Sequence, residues 1–262
     1  MLTVSFANFQ IETLTAIAEQ DSLLAGGTIN GNAVVRNVNT NPVFTSDLTV
    51  KDFTFRTDTV GDISLRVNNR QADTYAAQIN ITGKGNDVAL DGEYYVKPQN
   101  NSSFDFDLNI RNINLASIEG LTMGSLKQAS GNINGGLKIT GNLDAPSVRG
   151  DINFNQAAFN IAMLDSYYRI NKESISFTSE GIRFDTFALI DSAGNQATVD
   201  GMIYTTNFTD YRFGLDVTTD NFKAVSSTQK DNKLFYGDVF LSSNLRIRGD
   251  MNSPKVDGNV TI

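Results

Sequence analysis

The sequence predicts an all-β protein, built as an elongated, repetitive sheet with one apolar face and only a few short helical turns. Three observations predict it. Apolar and polar residues alternate with a period of two along most of the chain. The composition favours turns and pleated strands, with 29 Asn and 21 Gly beside only 4 Pro in 262 residues. Finally, Gly, Pro and apolar positions recur at fixed long offsets.

The strands announce themselves in order. Phe53-Thr54-Phe55, Ile63-Ser64-Leu65-Arg66-Val67 and Phe104-Asp105-Phe106-Asp107-Leu108-Asn109-Ile110 each place apolar side chains on one face. Ile133, Leu137 and Ile139 continue the pattern, followed by Ile175-Ser176-Phe177 and Leu245-Arg246-Ile247. Turn signals separate them at Gly61-Asp62, at 83–87, at 191–195 and at 206–210. Helical spacing is confined to Leu14, Ile17 and Ala18, to Leu115, Ile118 and Leu121, and to the region 223–229.

The repeats set the organisation. Residues 135–154 match 243–262 at an offset of 108, pairing Leu137 with Leu245, Ile139 with Ile247, and Val148 with Val256. Gly141, Pro146 and Gly150 coincide with Gly249, Pro254 and Gly258 at the same offset. A degenerate copy lies upstream, where 27–31 matches 131–135 at an offset of 104 and Pro42 falls on Pro146. The reading is a lead-in over 1–26, repeat units over 27–130 and 131–238, and the start of a third over 239–262. Gly31, Pro42, Gly141, Pro146, Gly150, Gly249, Pro254 and Gly258 are its expected turn and bend positions. At the apparent turn spacing, a period of about 105 residues holds roughly eight strands. The last residues, Asn259-Val260-Thr261-Ile262, read as strand, so the chain is expected to be a fragment of something longer.

Composition also removes chemistry. With no His and no Cys, the chain has no Ser-His-Asp nucleophile, thiol, zinc ribbon or disulfide framework, and no cofactor is expected. A net charge of −8 disfavours nucleic acid as a partner. No run of residues is apolar and long enough to span a bilayer, and the first six residues lack the pattern of a secretory signal.

Each candidate site has a plain alternative. Asp105 and Asp107 share a strand face, as a glycosidase carboxylate pair would, but also as a solvated face does. Gly83-Lys84-Gly85-Asn86-Asp87-Val88-Ala89 resembles one calcium-binding nonapeptide, yet reads as a glycine-rich hairpin turn without tandem copies. Asn37, Asn39 and Asn41 lack the carboxylates of a calcium loop. Ser166-Tyr167-Tyr168-Arg169 is either a Tyr-based acid/base patch or strand-surface aromatics. No enzyme activity is expected.

The G-x-φ-x-G and x-x-P-x-φ-x-G segments at 135–154 and 243–262 resemble repeats of the TamB-like translocation and assembly module family, within the AsmA-like superfamily. Further stretches resemble the late-central part of Bacteroidota-type members. They are 166–170 with 175–177, Leu189 to Gly201, and Asp231-Asn232-Lys233-Leu234-Phe235-Tyr236-Gly237. The resemblance implies a sheet curled into an open groove, a half-tube with an apolar interior. It implies a periplasmic location, within a protein anchored in the inner membrane by a segment outside this chain. Its implied function is carrying phospholipid acyl chains between inner and outer membrane and supporting outer-membrane protein assembly and secretion. An outer-membrane barrel partner would meet segments not present here. The implied groove lining is Ile29, Ile133, Leu137, Ile139, Leu143, Val148, Ile152, Phe154, Leu245, Ile247, Met251, Val256, Val260 and Ile262. The alternative is an extracellular β-solenoid adhesin or binding module that uses its polar face.

Overall fold

A computed structural model of the chain describes residues 1–13, 24–37, 43–56, 58–71, 73–97, 102–230 and 236–262. Fifteen strands follow one another in chain order in a single open antiparallel sheet, each hydrogen-bonded to the next. The first eight are β1 (Leu2–Gln10), β2 (Ala25–Arg36), β3 (Val43–Phe55), β4 (Asp58–Gln71), β5 (Thr74–Gly83), β6 (Asn86–Tyr95), β7 (Ser103–Asn114) and β8 (Leu126–Gly141). They are followed by β9 (Pro146–Ile161), β10 (Ser166–Thr178), β11 (Gly181–Ile190), β12 (Gln196–Tyr204), β13 (Arg212–Ser227), β14 (Gly237–Asp250) and β15 (Lys255–Thr261). A 3-10 helix, Leu115–Thr122, connects β7 to β8. It covers the expected Leu115, Ile118 and Leu121.

The matching segments 27–31, 131–135 and 243–249 fall in β2, β8 and β14, so equivalent residues lie six strands apart rather than about eight. The difference arises because glycines read as turns lie inside long strands. Gly61 sits within β4, opposite Phe53, and does not end it. Gly31, Gly150 and Gly258 are likewise inside β2, β9 and β15, not at turns. Gly141 and Gly249 fall at the ends of β8 and β14, Pro146 opens β9, and Pro254 immediately precedes β15. Pro42, the helical positions 14–18, Asn39 and Asn41, and the motif residues 231–235 lie outside the described residues. The helix expected near 223–229 is instead the end of β13. There Lys223 and Val225 pair with Phe240 and Val239, and a complete ladder outweighs the weak helical spacing.

Gly150 and Gly258 show why glycine is required at one of these internal positions. Gly150 has φ +132°, and a Cβ there would lie 2.0 Å from the Gly136 carbonyl oxygen and 3.1 Å from the Leu137 Cα. Gly258 has φ +149°, and its Cβ would meet the Asn244 oxygen and the Leu245 Cα at 2.0 and 3.0 Å. Corresponding residues of the sequence match therefore meet the same obstacle, and only glycine lets neighbouring backbones approach so closely.

The chain divides into two compact units. Unit 1 comprises residues 1–121 and 138–144, and unit 2 comprises 122–137 and 145–262. In unit 1 the 3-10 helix is tied to the ends of the strands. The Gly120 N–H donates to Asp58, and the Asn86 amide donates to the Val60 carbonyl at 2.6 Å and to the Ser117 hydroxyl at 2.8 Å. In unit 2 the strongest burial lies where β9, β11 and β13 finish, around Tyr168, Ala197 and Phe222.

Candidate functional site: the apolar sheet face

Period-two alternation and the observed register together gather the apolar residues into rows. In unit 1 one row crosses seven strands as Phe9, Ile29, Val50, Ile63, Ile81, Val88 and Ile110. The next runs Leu48, Leu65, Ile79, Leu90, Leu108. In unit 2 the corresponding row is Ile152, Ile175, Phe184, Gly201, Leu215, Ile247, Val256. Most of these side chains are half-buried, so a continuous apolar surface remains in contact with solvent.

Four bulges re-phase the strands so that this face stays apolar. The register slips between Phe6 and Phe9, Val50 and Phe53, Phe184 and Phe187, and Thr219 and Phe222. Each slip holds a residue with left-handed φ: Asn8 (52°), Asp52 (50°), Thr186 (49°) and Asn221 (47°). In every case a side chain on the neighbouring strand accepts that residue's N–H: Asn30 Oδ1 at 2.8 Å, Asp62 Oδ1 at 3.0 Å, Asp200 Oδ1 at 2.7 Å and Ser242 Oγ at 2.9 Å. The bulge frees a backbone donor, the neighbouring side chain satisfies it, and the strand bends at that point. Lys51 and the Asp52 N–H together hold the Asp62 carboxyl below the usual carboxylate range. The signal in the sequence is a spacing of three where two is expected.

Bending brings non-neighbouring strands of unit 2 into contact. Tyr168 on β10 stacks on Phe222 on β13, with centroids 5.4 Å apart and planes 7° from parallel. In a flat sheet, strands three positions apart would be separated by about 14 Å. The Tyr168 hydroxyl donates to the Ala224 carbonyl at 2.8 Å, and the Ser226 N–H donates to the Leu164 carbonyl at 3.1 Å. The apolar face is therefore the concave one here. The Tyr168 hydroxyl is committed and its pKa is raised by burial; of Ser166-Tyr167-Tyr168-Arg169, Ser166 and Tyr168 are buried, Tyr167 is half-buried and Arg169 is exposed, the alternation of a strand with one packed face.

Asp191 secures the same end. It is fully buried, and its carboxylate accepts the N–H groups of Ala193 and Asn195, both at 2.8 Å, and of Lys223 at 2.6 Å. Burial pushes its pKa up, but these bonds, with the Asn195 amide, outweigh burial and hold it below the ordinary value. The motif Leu189 to Gly201 thus contains a staple joining the β11–β12 turn to β13.

On the polar face, Asp105 and Asp107 both pair with the Lys138 ammonium, and all three side chains are substantially exposed. Those two hydrogen bonds raise the Lys138 pKa. The carboxylates therefore belong to a solvated, charge-balanced strand face. Asp87 of the 83–89 segment is engaged by Arg111 at 2.5 Å, and Lys84-Gly85 forms the tight β5–β6 turn.

The expected lining residues are mostly on the apolar face. Register places Ile29, Ile152, Phe154, Leu245, Ile247, Val256 and Val260 there, Phe154 also making an edge contact with Phe187 at 5.6 Å. The Asn153–Asn134 hydrogen bond, 3.1 Å, puts those two side chains on the polar face and hence Ile133, Leu137 and Ile139 on the other. Val148 follows by alternation from Ile152, whereas Ile262 lies past the end of β15 and is 89% exposed, so alternation does not place it. Leu143 and Met251 lie instead in the turns after β8 and β14, 81% and 65% exposed. A turn does not continue the alternation, so they stand outside the rows.

A family model described as the TamB C-terminal domain matches residues 73–168 and 185–262, more than half of the chain. The chain belongs to the TamB family. TamB proteins are non-enzymatic cell-envelope proteins of the translocation and assembly module type, associated with outer-membrane assembly partners. No protein of curated function and no solved structure was found to match the chain. Among the described residues, no helix is long and apolar enough to cross a membrane.

Proposed function

We propose that this TamB segment is a stretch of groove wall, located in the periplasm, that carries phospholipid acyl chains between the inner and outer membranes. In this way it supports assembly and secretion of outer-membrane proteins. The observation that carries the reading is the set of largely half-buried apolar rows, which cross seven strands in each unit with a gap only at Gly201 in the unit 2 row. An acyl chain on such a surface gains about 0.8 kcal/mol per CH₂ removed from water. Neighbouring rows differ little in chemistry, so a chain shifts along them without meeting a deep trap. The protein acts passively, as a surface.

The test is photo-crosslinking in the intact protein. A crosslinking residue at Leu65 or Ile247 is expected to capture phospholipid, identified by mass spectrometry, whereas one at Asp107 on the polar face is not. Ile139→Asp with Ile247→Asp is expected to reduce capture and transport while the fold persists. Capture that is equal on the two faces overturns the reading.

A further inference from the structure

Two aromatic pairs border the concave face of unit 2. At one end of the strands Tyr168 stacks on Phe222. At the other, Phe208, from the loop between β12 and β13, reaches across the end of β11 to stack on Phe177 of β10, with centroids 6.5 Å apart and planes 28° from parallel. That loop is held in place. The Phe208 N–H donates to the Thr205 hydroxyl at 2.9 Å, the Tyr211 hydroxyl donates to the Phe208 carbonyl at 2.8 Å, and the Thr205 N–H donates to the Glu180 carbonyl at 3.0 Å. Phe177 lies two residues beyond Ile175 on β10 and so shares its apolar face, which puts the Phe208 ring on that face as well.

Between the two pairs one row stays clear. Glu173 pairs with Phe154, so its side chain stands on the apolar face, half-buried, two residues before Ile175. Phe187, only 8% exposed, makes edge contacts with Phe154 at 5.6 Å and Phe184 at 5.7 Å. A hydrocarbon tail is repelled at Glu173, whose carboxylate keeps its water, and finds no space at Phe187. What remains is the row Ile175, Phe184, Gly201, Leu215. On β10 it is bordered by Glu173 and Phe177, about 13 Å apart at strand rise. Gly201 makes a notch in it. Its φ is +113°, and a Cβ there would stand 2.1 Å from the Gly214 carbonyl oxygen, so backbone packing keeps the position free of a side chain. Phe184 and Leu215 flank the notch from strands about 10 Å apart.

Unit 1 is lined differently. Its rows over β3 to β7 are aliphatic, and among its described residues the ring pairs, Phe6–Phe9 and Phe104–Phe106, each join residues of a single strand. No aromatic pair there ties one strand to another.

We infer that unit 2 is the narrow gauge of the groove: it passes straight acyl chains in single file and rejects methyl-branched ones, whereas unit 1 accepts both. The inference rests on the acyl-chain reading above and adds the tail shape that unit 2 admits and the residues that set it. Phe208 and Glu173 form the two borders, and Gly201 supplies depth beneath the tail. A branch methyl has to enter space held by the Phe187 or Phe208 ring, and packed rings yield little.

The experiment uses the intact protein with vesicles of palmitoyl-oleoyl or diphytanoyl phosphatidylcholine, which share a headgroup and differ in tail branching. A photo-crosslinker at Ile175 reports on unit 2, and one at Leu65 on unit 1. At Leu65 the two lipids are expected to be captured about equally, and at Ile175 the straight-tailed lipid is expected to be favoured about tenfold. Phe208→Ala and Glu173→Ala, each removing one border and leaving the row intact, are expected to bring the Ile175 ratio toward parity, with melting temperatures showing that the variants are folded. Equal capture at Ile175 in the native protein overturns the gauge, and capture at Leu65 then leaves the groove reading standing. Capture at Leu65 with none at Ile175 also overturns it, since unit 2 is then closed to lipid altogether. No capture at either position removes the acyl-chain reading itself. A ratio unmoved by both variants overturns the assigned borders.

Discussion

The ring of Tyr168 lies parallel to that of Phe222 although β11 and β12 run between their strands. The contact fixes the curvature of unit 2, because it exists only when the four strands are rolled toward their apolar face. Phe222→Ala is therefore expected to destabilise by about 3–4 kcal/mol, and Tyr168→Phe, which keeps the ring and loses the hydroxyl's bond to Ala224, by about 1 kcal/mol. Urea denaturation measures both. Equal losses would show that the hydroxyl, not the stack, holds the curve.

Asp191 gives the fold a defined acid sensitivity. Its folded pKa lies below the ordinary 3.8, so its stabilisation is complete above that value and fades as pH falls through the lower, folded pKa. Asp191→Ala leaves the Ala193, Asn195 and Lys223 N–H groups without their acceptor and is expected to cost about 2–3 kcal/mol at pH 7. The difference between the native protein and the variant should shrink at the acid end of a pH series. A constant difference would mean that packing, not charge, is what Asp191 supplies.

Gly150→Ala forces a Cβ against the Gly136 carbonyl at a φ that alanine resists. A loss of about 2 kcal/mol or more is expected. Gly194→Ala is the informative control, since φ is also positive there, +97°, while no atom lies within 4 Å of the added carbon. Its cost should be the conformational strain alone. Thermal melts of the two variants separate contact from strain.

The bulge acceptors can be tested one at a time. Asp200→Ala removes the partner of the Thr186 N–H and is expected to cost about 1 kcal/mol. Amide exchange should accelerate at Thr186 ahead of the flanking strand. Unchanged protection at Thr186 would mean that the bulge holds its shape without the aspartate.

Much of this was legible in the sequence. Alternation such as Ile63-Ser64-Leu65 identified strands and their apolar side correctly, because a period of two is imposed by backbone geometry. Strand number was not, since glycines such as Gly61 and Gly150 look alike whether they end a strand or let two strands press together. The phase slip from Phe184 to Phe187 was present as a spacing of three, but a bulge is recognised only when the partner's acceptor, here Asp200, is known. The meeting of Tyr168 and Phe222 left no local mark, because it arises from curvature accumulated over several strands.

In the sequence match, 27–31 of β2 falls on 131–135 of β8, and 135–141 of β8 on 243–249 of β14, a step of six strands each time. Six is even, and parity matters in a meander. Inserting or deleting an even block returns the chain running in its original direction, with its dry face and both rims unexchanged. An odd block would reverse the following strand and carry every loop to the opposite rim. A gene for such a protein can therefore gain or lose about a hundred codons at a time and alter only reach, leaving sidedness intact.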